Sequence, residues 1–89
     1  MSVEYLGYIA AILTTGSFLP QLIKTVKTKD TSGISLTMYF FLVLGITLWF
    51  IYGICLDSMP IILANLFTGI MATIILYYKI KEALSKSKK

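Results

Sequence analysis

Histidine and arginine are both missing from this 89-residue chain, and cysteine occurs once, at Cys55. A single thiol rules out an internal disulfide. With no histidine and one thiol, the usual ligands of a zinc or haem site are almost gone, so neither metal nor cofactor is expected. Charge is scarce in long stretches: residues 6–23, 36–56 and 61–78 contain no Asp, Glu, Lys, Arg or His. Ion coupling at membrane depth normally needs an ionisable group there. Proline occurs twice, at Pro20 and Pro60. No internal repeat is visible.

What is present is apolar. Hydrophobic residues make up 57% of the chain and charged residues 13%. A soluble domain this small cannot hide that much apolar surface. Three continuous apolar spans, 5–26, 36–56 and 60–80, each match the roughly 20 helical residues that cross a hydrocarbon core of about 30 Å. The expected fold is an all-α membrane protein, a single three-helix domain over 1–89. The first span lacks the basic leader of a secretion signal and runs on into Lys24. Asp30, Thr31, Ser32 and Gly33 supply turn chemistry between the first two spans, with Ser35 as a helix cap. Asp57 or Ser58 is placed to cap the third span, and Pro60 fits its first turn.

The lysines set an expected orientation. Lys24, Lys27 and Lys29 flank the first connection, and Lys79, Lys81, Lys86, Lys88 and Lys89 follow the third span. All eight therefore lie on one side, the cytoplasmic one, with the C-terminus inside and the N-terminus outside. Their partner is the bilayer. Nucleic-acid binding would need a basic face on a soluble module, which the sequence does not provide.

Polar residues within the spans carry the functional signal. Pro20 removes one backbone hydrogen bond and crowds the Gly16 carbonyl, so the helix should bend or loosen there; Gln21, Ser17 or Thr14 is placed to satisfy the freed group. Proline alone leaves a hinge and a static kink equally open. Trp49 and Asn65 each lie eight residues from Asp57, one before and one after. In an antiparallel hairpin they share a depth of about 8 to 12 Å below the boundary. An indole face beside an amide suits a sugar, and equally suits packing and helix–helix glue. Small residues at helical spacing (Gly7, Ala11, Thr15; Asn65, Gly69, Thr73) permit close helix contact. Tyr39, Phe40, Phe41, Phe50, Tyr77 and Tyr78 read mostly as lipid-facing or belt aromatics. Three helices cannot pack together and also surround a solute, so any path must lie between protomers.

The stretches "FLPQLIKTVKTKDTSGIS", "LGITLWFIYGI" and "PIILANLFTG" resemble SemiSWEETs, the bacterial half-units of the SWEET sugar transporters, within the wider PQ-loop superfamily. The resemblance covers nearly the whole chain. It implies a parallel homodimer in the plasma (inner) membrane, working as a passive alternating-access sugar uniporter rather than an enzyme. It places a sugar of the glucose or sucrose class between two copies of Trp49 and Asn65. It makes Pro20 the hinge, steadied by Gln21, and gives Phe18, Met38 and Leu42 to the inner constriction. Tyr52 and Asp57 fall at the outer one. Relatives can latch the outer side with an arginine–aspartate pair; without arginine, that latch is excluded here. The alternatives are a PQ-loop-type transporter of an amino acid or carboxylate, or a non-transporting membrane interaction subunit. The uncharged spans favour a neutral solute.

Overall fold

The computed structural model describes residues 3–87 and holds three helices, with no strand among them: α1 (Val3–Thr28), α2 (Leu36–Cys55) and α3 (Met59–Ser87). All three are long and apolar enough to cross a membrane. Lys88 and Lys89, two of the lysines used for orientation, lie outside the described residues. The third helix continues past residue 80, and there Lys86 pairs with Glu82 at 2.9 Å, one turn apart.

The spatial order is not the chain order. α3 packs against both neighbours, while no Cα of α1 comes within 8 Å of a Cα of α2. The Cα envelope measures 55 × 24 × 14 Å. One helix is only about 4.6 Å thick at its Cα atoms, so the thin dimension shows that the three axes do not lie in one plane. The contacts make a bent arrangement, with α3 as its floor and α1 and α2 as its walls. The core lies toward the lysine-bearing end, where Ile34, Tyr39, Ile46, Ala72 and Ile75 are buried and Phe18, Leu22 and Leu42 pack against them. Elsewhere the apolar surface faces outward, as Leu13 and Phe41 do. In lipid that exposure costs nothing, because acyl chains are as apolar as leucine.

Small residues mark the close approaches. Gly7 of α1 lies against Pro60 of α3, where an added Cβ would sit 3.2 Å from the proline Cβ. Further along, the Thr15 and Thr68 hydroxyls share a hydrogen bond at 3.1 Å. The tightest contact is at Gly53. A Cβ there would lie 2.7 Å from Ile61 Cγ2 and 3.2 Å from the Ile62 backbone nitrogen. Gly53→Ala must push α2 and α3 apart at the hairpin. It is expected to destabilise the protein by about 1–3 kcal/mol, read as a lower melting temperature in detergent. An unchanged melting point would mean that the hairpin has slack.

Both connections are built by local hydrogen bonds. α1 ends at Lys29, whose φ of 57° is left-handed and whose N–H donates to the Thr25 carbonyl at 2.8 Å. The Ser32 backbone N–H donates to Asp30 Oδ1 at 3.0 Å and holds that carboxyl below its usual pKa. Ser35 caps α2 by accepting from the Met38 N–H at 3.2 Å. Lys79 of α3 donates to the Thr31 carbonyl at 3.0 Å and ties the connection to the floor. At the other end, Ser58 and Asp57 N–H groups close onto the Gly53 and Ile54 carbonyls, with Asp57 at φ 54°. That pattern is a Schellman ending of α2. Asp57 thus serves the C-terminus of α2 through its backbone.

Candidate functional site

Two walls on one floor leave a groove. It has a volume of about 520 Å³ and is lined by Thr14 and Phe18 of α1, Leu42 and Trp49 of α2, and Asn65 and Thr68 of α3. Gly7 and Pro60 lie at its hairpin end. Toward the lysine-bearing end a second concavity of about 270 Å³ continues from it, sharing Phe18 and Leu42 and adding Gln21, Met38 and Tyr39. No charged side chain lines either space.

Trp49 and Asn65 meet in this groove because antiparallel helices joined by a short turn bring residues equally distant from the turn to one level. Trp49 is 56% exposed in the single chain, and its ring stands edge-on to Tyr52 at a centroid distance of 5.5 Å. The indole is therefore braced by a neighbouring ring while more than half of it stays open in the single chain. Asn65 Nδ2 donates to the Ile61 carbonyl of its own helix at 2.8 Å. That bond fixes the amide and leaves Oδ1 and one N–H for another partner.

The sequence-predicted residues separate into three groups. Phe18, Leu42, Trp49 and Asn65 line the main groove, and Met38 and Gln21 line its continuation. Tyr52 reaches the groove by its contact with Trp49. Asp57 lines neither space; it is exposed at the turn between α2 and α3.

Around Pro20 the hydrogen bonds run differently from the simplest expectation. α1 continues as helix through Pro20 to Thr28. Ser17 Oγ donates to the Thr14 carbonyl at 2.7 Å, not to Gly16. Gln21 Oε1 accepts from the Tyr39 hydroxyl of α2. One residue past the proline, the Gln21 side chain points to the opposite wall rather than back along its own helix. Tyr39 is accordingly not a lipid-facing aromatic: it is 3% exposed. A buried phenol needs a hydrogen-bond partner, and Gln21 is that partner. Thr68 is a groove residue that sequence reasoning passed over, and Thr14, expected only beside the proline, lines the groove as well. Thr68 was legible as one turn from Asn65, whereas Thr14 carried no signal beyond its hydroxyl. No hydrogen bond of the Thr14 hydroxyl occurs among the described residues, while the Thr14 carbonyl accepts from Ser17 Oγ.

The comparisons with known proteins agree with one another. The PQ loop repeat family matches residues 2–62. The sugar transporter SemiSWEET of Leptospira biflexa serovar Patoc is 56% identical over 77 residues, covering 86% of this chain and 91% of that protein. A crystal structure of a bacterial homologue of SWEET transporters shares 42% identity at a TM-score of 0.80, over 88% of this chain and 94% of the other. A SemiSWEET crystal structure in the inward-open conformation shares 34% identity at a TM-score of 0.90, over 96% of this chain and 91% of the other. Matched along the sequence and along the backbone, this multi-pass membrane protein belongs to the SemiSWEET family of PQ-loop proteins.

Proposed function

We propose that the chain is half of a passive sugar uniporter. Two parallel copies enclose a path that opens alternately to the two sides of a bacterial plasma membrane. The observation that carries this reading is the groove itself: uncharged, with Trp49 and Asn65 on its surface, and open along one face. A sugar is neutral, with an apolar ring face and a rim of hydroxyls. The Trp49 indole offers stacking, while Asn65 Oδ1 and the Thr14 hydroxyl offer hydrogen bonds. One chain cannot close this groove. A second copy related by a two-fold axis along the membrane normal would close it and double every contact.

The name of the Leptospira relative, a sugar transporter, supports sugar over an amino acid or a carboxylate. The absence of charge from the groove points the same way, since a charged solute needs a counter-charge. In this reading the lysine-bearing end is cytoplasmic. Pro20 is the hinge, with Gln21 beside it. Phe18, Met38 and Leu42 narrow the inner end. Tyr52, braced on Trp49, narrows the outer end, and Asp57 contributes by fixing the turn behind it.

The test is counterflow of radiolabelled glucose and sucrose in proteoliposomes with no ion gradient. Saturable exchange of one of them is expected. Its rate should vary by less than about twofold between about pH 5.5 and 8, because no group in the path titrates. Sodium should have no effect. Exchange that needs a proton or sodium gradient would overturn uniport, and exchange of neither sugar would overturn the substrate class.

A further inference from the structure

A hinge in a helix is useful only if something holds the pivot. Without an anchor, a force on the inner half of α1 would shift the whole helix instead of bending it at Pro20. The structure offers few candidates. α1 and α2 backbones never approach within 8 Å at Cα. Among the described residues, one side-chain hydrogen bond joins these two helices, and it lies directly beside the proline: Tyr39 Oη to Gln21 Oε1. Tyr39 belongs to the buried core with Ile75 and Ala72 of α3, so its ring cannot follow a moving neighbour.

We propose that Tyr39 is a positioning residue of the transport cycle, pinning the pivot of α1 to α2 through Gln21. This inference rests on the transport reading. The geometry of a lever favours it. Gln21 is one residue past Pro20, about 1.5 Å along the axis, whereas the end of α1 at Thr28 lies about 12 Å beyond the pivot. A swing that carries Thr28 several ångströms displaces Gln21 only slightly, and the bond can persist throughout. Tyr39 also sits between Met38 and Leu42, and Phe18 stands one turn from Gln21. The same bond therefore holds the two sides of the inner constriction in register. Tyr39 borders the inner continuation and not the groove shared by Trp49 and Asn65, so its role in this scheme is to hold α1 and not to bind the solute.

Tyr39→Phe keeps the ring and removes only the hydroxyl. It is expected to slow sugar counterflow on the order of tenfold per folded dimer, the scale of one lost hydrogen bond with its part-buried acceptor left unpaired. The concentration of sugar giving half-maximal exchange should stay within about twofold, since the binding groove is untouched. Gln21→Met, which removes the acceptor at similar length, should reproduce the effect. The double variant should be no slower than either single one, the signature of two residues acting as a unit. A purely structural role would lower the melting temperature and leave the rate per folded molecule alone. Three results would overturn the inference: a Tyr39→Phe rate equal to wild type, additive effects in the double variant, or a changed half-saturation with unchanged maximal rate. Wild type run in parallel separates the failures. If wild type exchanges sugar and Tyr39→Phe matches it, only the anchor falls; if wild type exchanges nothing, the transport reading falls and the anchor with it.

Discussion

Trp49→Ala is expected to slow sugar counterflow on the order of a hundredfold while the protein still folds, assembles and inserts. The expectation follows from where the ring is. The indole is 56% exposed in the single chain and stands roughly perpendicular to the Tyr52 ring. Its removal leaves no sealed cavity, so the stability cost is small compared with that of truncating a core aromatic. The functional cost is large, because stacking on an aromatic face supplies about 0.5 to 1.5 kcal/mol per ring beyond the apolar area it buries, and a two-fold path contains the ring twice. Together these come to about 1 to 3 kcal/mol, a loss of roughly fivefold to 150-fold before the lost burial is added. Asn65→Ala should cost less, roughly tenfold to a hundredfold over two copies. Its bond to the Ile61 carbonyl is expendable, since that carbonyl also accepts the backbone N–H one turn on. Counterflow and cross-linked dimer yield would be measured on the same preparations. Wild-type exchange by Trp49→Ala would reduce the tryptophan to a packing residue and remove the main support for a sugar site.

The sequence made some of this legible and hid the rest for physical reasons. Apolar length is an absolute signal, so the three helices could be read without periodicity. Their order in space could not, because a membrane span is apolar all round and no stripe marks the face that meets α3. The Trp49–Asn65 pairing was legible because equal distance from a tight turn fixes equal depth. Phe18, Met38 and Leu42 came from family resemblance, not from any local pattern. Tyr39 was misread for the same reason that helix order was hidden: an aromatic in an unbroken apolar run gives no clue to burial. Its partner Gln21 is 18 residues away on another helix. Asp57 is expected at the outer constriction, and its left-handed backbone and the Schellman ending of α2 add a turn-forming role that its residue type did not announce. Asparagine, glycine and aspartate all occur at such positions, so the residue type alone did not decide between them.

Pro20→Ala should separate stability from function more sharply than any other change. In wild type, Gly16 has no N–H partner one turn along, because position 20 carries none. Alanine restores that bond and removes a residue that disfavours helix by about 3 kcal/mol. The variant should therefore melt at a higher temperature and form the same dimer. If Pro20 is only a kink, transport should be unchanged or improved by the added stability. If it is the hinge, a straighter and stiffer α1 favours one arrangement of its inner half over the other. A bias of about 3 kcal/mol shifts a two-state equilibrium by roughly a hundredfold. A cycle that must visit both states then slows by a similar factor, while sugar still binds to the favoured state. The expected result is a more stable protein that binds sugar and hardly moves it. Binding would be read by tryptophan fluorescence, because Trp49 is the one tryptophan and lies in the groove. Flux would be read by counterflow. Normal flux from an intact, more stable dimer would remove the hinge role from Pro20 and leave the flexibility of the inner gate to be sought in the connection between α1 and α2.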